Sequence, residues 1–94
     1  MDYIFEIIDK SGRRIKLTNK QWKHIRIDHP DVDDEEIKQT LQEPVKIFGE
    51  KKKKYFYYRY FKNHQSPAKF LRVIVKYLNE EGFVITAYFV KNLN

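Results

Sequence analysis

The runs Leu71-Arg72-Val73-Ile74-Val75-Lys76-Tyr77 and Phe83-Val84-Ile85-Thr86-Ala87-Tyr88-Phe89, joined through Leu78-Asn79-Glu80-Glu81-Gly82, decide the fold. β-Branched and aromatic residues dominate both, and apolar positions recur every second residue, the period of a half-buried strand. The pattern predicts strands over 69–77 and 83–90. A three-residue loop, Glu80-Glu81-Gly82, would pair Asn79 with Phe83 and place glycine where a left-handed conformation is needed. That register sets Lys76 opposite Thr86 and Ile74 opposite Tyr88. One face then carries Leu71, Val73, Val75 and Tyr77 against Phe83, Ile85, Ala87 and Phe89, and requires a cover of helices. The other face carries Arg72, Lys76, Thr86 and Tyr88.

Working back along the chain, residues 55–62 read as a third strand in which Arg59 alternates with Tyr55, Tyr57 and Phe61. An arginine beneath a helix is costly without a partner, so Arg59 is expected on the open face with Arg72 and Lys76. Residues 45–48 form a short strand broken by Gly49. Lys51, Lys52, Lys53 and Lys54 make an exposed loop or strand start, and residues 63–68 connect two strands.

Two helices precede this β region. Thr18 is a natural N-cap for residues 19–28, and Gln21 three positions on completes a capping-box pattern. Trp22, Ile25 and His29 share one face, His24 projects roughly opposite Trp22, and Pro30 ends the helix. A second helix over about 33–42, capped by Asp31 or Asp33, carries acids in its first turn and an apolar stripe of Ile37 and Leu41. The N-terminal residues 3–8 and 13–17 form a hairpin around Lys10-Ser11-Gly12. Its register places Ile7 opposite Ile15, Phe5 opposite Leu17 and Glu6 opposite Lys16. The expected architecture is α+β: an N-terminal hairpin and two helices packed on one face of an antiparallel sheet.

The chain is 94 residues long, so one domain spanning 1–94 is expected. Apolar content of 41% excludes wholesale disorder. The absence of cysteine excludes disulfide scaffolds, thiolate zinc sites and cysteine nucleophiles. No apolar run reaches the ~20 residues of a membrane span, and the first residues do not read as a signal peptide, so a cytoplasmic location without membrane association is expected. The net charge of +6 is unevenly placed. Residues 28–43 hold seven acids against Lys38, whereas residues 45–76 hold ten bases against Glu50. A basic surface interleaved with tyrosines suits a phosphate backbone bearing unstacked bases.

The chemistry of such a face is restricted. The acids lie elsewhere, which disfavours carboxylate-held divalent metals and paired-carboxylate glycoside hydrolysis. The histidines do not have zinc-site spacing, and neither a glycine-rich phosphate loop nor a nucleophile elbow is present. No cofactor and no metal is expected. Cleavage of RNA by its own 2′-hydroxyl fits the residue types better. Histidine suits the proton transfers, lysine and arginine the phosphate charge, and tyrosine a base or a proton. Each residue also has an ordinary role available: His24 as an exposed helix residue, His29 as a helix-end residue, Lys76 and Arg72 as solubilising charges, and Thr86 and Tyr88 as strand formers.

The run Leu17-Thr18, Trp22-Lys23-His24-Ile25, Asp28-His29-Pro30, then Ile37, Leu41, Pro44 and Ile47, then Tyr57-Tyr58-Arg59, Leu71 to Lys76 and Gly82-Phe83-Val84-Ile85-Thr86-Ala87-Tyr88 resembles the phage and prokaryotic nucleases grouped with barnase, EndoU, the colicin tRNases and RelE. The resemblance covers roughly residues 15–90. It implies the fold of that group and a metal-independent endoribonuclease, with toxins and conflict-system effectors among its relatives. RNA is the implied partner, and a toxin role would add a cognate antitoxin or immunity protein. By resemblance, His24, His29, Arg59, Lys76, Thr86 and Tyr88 are the catalytic positions; Lys51, Lys52, Lys53, Lys54 and Arg72 serve nucleic-acid binding. The competing expectations are a non-enzymatic RNA-binding or regulatory module, and a protein-interaction domain using the acidic 28–43 segment. The histidines reach Lys76 and Thr86 only if they lie at a sheet edge or groove.

Overall fold

Alternating apolar residues in β1 (Tyr3–Ile8) and β2 (Arg14–Thr18) pair as an antiparallel hairpin, with Phe5 opposite Leu17, Glu6 opposite Lys16 and Ile7 opposite Ile15. Gly12 takes the left-handed φ of 88° that the turn needs. The computed structural model describes residues 3–49 and 51–93, with Lys51 described for its backbone only. The chain continues through α1 (Asn19–Asp28), α2 (Asp34–Gln42), β3 (Lys46–Gly49), a 3₁₀ turn (Lys51–Lys53), β4 (Lys54–Tyr60), β5 (Phe70–Leu78) and β6 (Glu81–Val90).

All six strands join one sheet in the order β1-β2-β6-β5-β4-β3. The sheet is mixed, where an antiparallel one was expected, because β2 and β6 run parallel. Parallel neighbours require a long crossover, and the two helices and three strands between β2 and β6 supply it.

α1 and α2 cover one face. Ile25, Ile37 and Leu41 are buried there with Leu71, Val73, Val75 and Ala87, while Trp22 packs half-buried at the margin. The Thr18 hydroxyl caps α1, accepting from the Gln21 amide at 3.1 Å. The Gln21 side chain does not return to Thr18; it donates to the Ile85 carbonyl. Asp33 precedes α2, and its N–H donates to the Glu36 carboxylate at 3.1 Å.

The β5–β6 hairpin departs from the expected register. Its loop is Asn79-Glu80, both at positive φ (52° and 70°), and Leu78 pairs with Glu81. Positive φ at both central residues matches the twist of the flanking strands. Gly82 is therefore a strand residue. A Cβ there would lie 2.8 Å from Tyr77 Cε1, 3.0 Å from Val75 Cγ1 and 3.1 Å from Ile15 Cγ1, so close packing rather than a turn requires glycine. A bulge follows: Val75 pairs with Val84 but Ile74 with Thr86, leaving Ile85 without an opposite residue. The bulge resets the alternation, so Gly82 and Val84 face the core before it and Ala87 after it. Phe83 and Ile85, expected inside, are half-buried. Lys76 pairs with Phe83, not Thr86, and Tyr88 pairs with Arg72, not Ile74.

Arg59 is also corrected. It pairs with Leu71 and so lies on the helix-covered side of the sheet. There its Nη1 donates to the Glu43 carbonyl at 2.7 Å, at the C-terminal end of α2. Unpaired carbonyls at a helix end provide the partner that made burial acceptable. In the turn between β1 and β2, Asp9 is buried and accepts from Ser11, the Arg13 amide and the Tyr57 hydroxyl, which is itself 2.8 Å from the Tyr77 hydroxyl. Among the described residues, no helix is long and apolar enough to cross a membrane.

Candidate functional site

β2 pairs with β6 only over Arg14–Lys16 and Glu81–Phe83. Beyond the bulge that side of β6 has no strand neighbour among the described residues, and α1 lies beside it, tied by Gln21 to the carbonyl of Ile85. Ile25 turns into the core, which leaves the preceding His24 on the outer flank. Asp28 is one turn along the same flank. The result is an open cleft of about 400 Å³ lined by Gln21, His24, Ile25, Asp28, Ile85 and Thr86. His24 and Asp28 are exposed and Thr86 is half-buried.

A second group adjoins it. Pro30 keeps the preceding residue out of the helical region, so α1 ends at His29 with φ −137° and ψ 71°. The His29 ring then stacks on Tyr88, centroids 5.3 Å apart at 28°. Tyr88 lies two residues beyond Thr86 on the same face of β6, about 6.7 Å along the strand. Its hydroxyl accepts from Arg72 Nη1 at 2.8 Å, and Arg72 Nε donates to the Tyr58 hydroxyl at 2.8 Å. The guanidinium also lies 5.3 Å and 5.4 Å from the Tyr58 and Tyr88 ring centroids. Burial works against the Arg72 charge, but the hydrogen bonds to Tyr88 and Tyr58 outweigh it and hold the pKa above its ordinary value. Because the Tyr88 oxygen accepts from Arg72, its own hydrogen is free to point at a bound oxygen atom.

Five expected residues thus gather at one edge of the open face: His24 with Thr86, and His29 with Tyr88 and Arg72. Lys76 is exposed on that face but four residues from Arg72 along β5, about 13 Å away by strand rise, and does not meet Thr86. Arg59 is on the reverse face. Lys52 and Lys53 lie in the turn before β4, and Lys54 pairs with Lys76. The side chain of Lys51 lies outside the described residues. His64 does not join the group. It stacks on Phe89 at 3.5 Å, with Nε2 3.2 Å from an Asp31 carboxylate oxygen and Nδ1 3.0 Å from the Ala68 carbonyl, holding two loops together.

Three residues were missed. Asp28 was legible from its four-residue spacing to His24. Gln21 was read as a cap, and its reach to the bulge depends on a feature no local pattern marks. Tyr58, next to Arg59, was expected on the opposite face from it, beneath the helices; the structure sets it on the open face, because β4 pairs with β5 so that Tyr58 stands opposite Arg72. Among the described residues, no three His, Asp or Glu side chains gather as a metal site would require. No family model matches the chain, and neither the curated proteins nor the solved structures yield a match.

Proposed function

We propose that the protein is a metal-independent endoribonuclease with the fold of the barnase–EndoU–colicin–RelE-like nucleases. The observation that carries this reading is that His24 and Thr86 share one cleft while Tyr88, held by Arg72, stands next along the same strand. A phosphate held by the Thr86 hydroxyl and the Arg72 guanidinium has His24 on one side and the Tyr88 hydroxyl on the other. Displacement at phosphorus needs the attacking and leaving oxygens on opposite sides, each with its own proton-transfer group. His24 takes the proton of the 2′-hydroxyl, whose oxygen attacks the adjacent phosphorus. The 5′-oxygen leaves with the proton of Tyr88, giving a 2′,3′-cyclic phosphate. Arg72 offsets the charge that builds on the phosphoryl oxygens. His29 holds the Tyr88 ring in place.

The test is cleavage of a mixed-sequence RNA in EDTA, beside a 2′-deoxy strand of the same sequence. The RNA is cut and the deoxy strand is not. His24→Ala, at an exposed position, lowers the rate by about 10²–10⁴ with an unchanged melting temperature. Cleavage of the deoxy strand, or cleavage that EDTA abolishes, overturns the mechanism. RNA binding without any cleavage by the wild type favours the non-enzymatic module. For a toxin role, expression of the wild type arrests growth and His24→Ala does not, and a co-expressed antitoxin or immunity protein relieves the arrest.

A further inference from the structure

The face of the sheet away from the helices is built in rows set by strand register. Lys54, Lys76, Phe83 and Lys16 lie side by side across β4, β5, β6 and β2. The next row is Phe48, Phe56, Ile74 and Thr86, across β3 to β6. The third is Lys46, Tyr58, Arg72 and Tyr88, and the fourth is Tyr60, Phe70 and Val90. Successive rows stand about 6.7 Å apart, so the four rows span about 20 Å.

Two features of this face are unexplained by folding. Lys54 and Lys76 are directly opposite on neighbouring strands and exposed, and neither forms an ion pair among the described residues. Like charges in that relation destabilise a sheet. The aromatic rings are the second feature. Phe48 is 39% exposed and Tyr60 47% exposed, and Phe56 and Phe83 are half-buried, although no helix or strand among the described residues covers them. Phe48 meets the Tyr58 ring edge-on, Tyr60 meets Phe70, and Lys46, Arg72 and Lys16 lie over Phe48, Phe56 and Phe83, yet the outer surface of this aromatic and cationic layer is left to solvent. Cations set between such rings match a strand that carries phosphates and flat, unpaired bases together. A duplex hides its base faces in its own stack and cannot use the rings.

We propose that this face is a stacking track for a single-stranded segment of RNA, running from the Lys54–Lys76 row past Phe48 and Phe56 to the Arg72–Tyr88 group. The proposal deepens the ribonuclease reading and rests on it for the fate of the strand, since the track ends where Thr86 and Tyr88 would receive the scissile phosphate. Unpaired RNA is then the substrate class, and duplex RNA is excluded by the track rather than by the cleft.

Binding is measured by fluorescence anisotropy with a labelled 2′-O-methyl oligonucleotide, which lacks the nucleophile and cannot be cut. The single strand binds at least tenfold more tightly than the same strand annealed to its complement. Phe48→Ala, at an exposed edge-strand position, weakens single-strand binding about 5- to 150-fold, the loss of one stacked base. Lys54→Glu with Lys76→Glu weakens it further and flattens its dependence on salt. Equal affinity for single strand and duplex overturns the proposal, as does Phe48→Ala with unchanged affinity, or the absence of binding to either probe. Cleavage is scored separately on unmodified RNA. A single-strand preference without cleavage keeps the track and removes the ribonuclease reading; cleavage of paired and unpaired RNA alike, without preference in binding, does the reverse.

Discussion

Replacing Tyr88 by phenylalanine removes one oxygen atom from the centre of the proposed site and little else. The ring that stacks on His29 at 5.3 Å is retained, and so is its place on the β6 strand. What is lost is the acceptor that Arg72 Nη1 meets at 2.8 Å. Arg72 keeps its bond to Tyr58 and, half-exposed, recovers part of the lost interaction from water. The stability cost is therefore nearer that of an ordinary hydrogen bond than of a buried charged one, about 0.5–1.5 kcal/mol. In a domain of this size that lowers the melting temperature by roughly 2–12 °C. Even at the upper figure the chain stays folded at 25 °C, given a stability of about 5 kcal/mol or more. Cleavage responds on a different scale. Loss of the group that protonates the leaving oxygen costs about 10²–10⁴ in rate. The assay is single-turnover cleavage of RNA at 25 °C, with a thermal melt on the same sample. Tyr88→Phe with cleavage near the wild-type level refutes the assignment of the proton to Tyr88. A melting temperature lowered far beyond the range above refutes the view that Arg72 relaxes into water.

Two further outcomes follow from the packing. Gly82→Ala introduces a methyl 2.8–3.1 Å from Tyr77, Val75 and Ile15, of which Val75 and Ile15 are fully buried and cannot yield. Crowding of about 1–3 kcal/mol exceeds the ~0.4–1 kcal/mol gained by restricting the unfolded chain, so the melt shifts down, and an unchanged or raised melting temperature sinks this account of the glycine. The Tyr57 hydroxyl is pushed well above its ordinary pKa, first by burial and then by its bonds to Asp9 and Tyr77, and burial raises Tyr77 as well. The unfolded chain releases these protons near pH 10 while the folded one retains them, so stability is complete below that pH and falls as pH rises above it. An alkaline titration followed by phenolate absorbance leaves at least two of the seven tyrosines protonated until the protein unfolds, and Tyr57→Phe weakens the fall; full titration of the folded protein would contradict it.

The sequence made local pairings readable where turn chemistry and side-chain alternation agreed. The β1–β2 register followed from Gly12 and from apolar residues alternating on both strands. The first helix followed from Thr18 and Pro30, and the burial of Ile25, Ile37 and Leu41 from their spacing. The last hairpin was misread because Gly82 has two possible uses, and sequence alone favoured the turn. Its actual use depends on Ile15, a residue of the first hairpin brought alongside by the parallel pairing of β2 with β6. Arg59 departs from expectation for a related reason: burying its charge is costly without a partner, and the partner, the carbonyl at the end of α2, comes from a segment no local pattern brings there. Both errors arise from contacts between segments distant in the chain, which no periodicity encodes.

The same limit explains why the site was half legible. Residue types and the open face could be read, whereas the partners could not. The expected pair, Lys76 with Thr86, assumed a three-residue loop ending at Gly82 and unbroken alternation through residue 86. The two-residue loop Asn79-Glu80 carries Thr86 along β5 away from Lys76, to the level of Val73, and the bulge at Ile85 returns it one step, onto the row of Ile74 and the open face. That shift sets Thr86 in the cleft beside His24 and puts Tyr88 against Arg72. The bulge is held by Gln21, whose residue type was read as half of a helix cap. One side chain thus anchors α1 to the strand that carries Thr86 and Tyr88. Gln21→Ala should therefore disturb the relation of His24 to Thr86 more than it disturbs the helix, because the Thr18 cap remains.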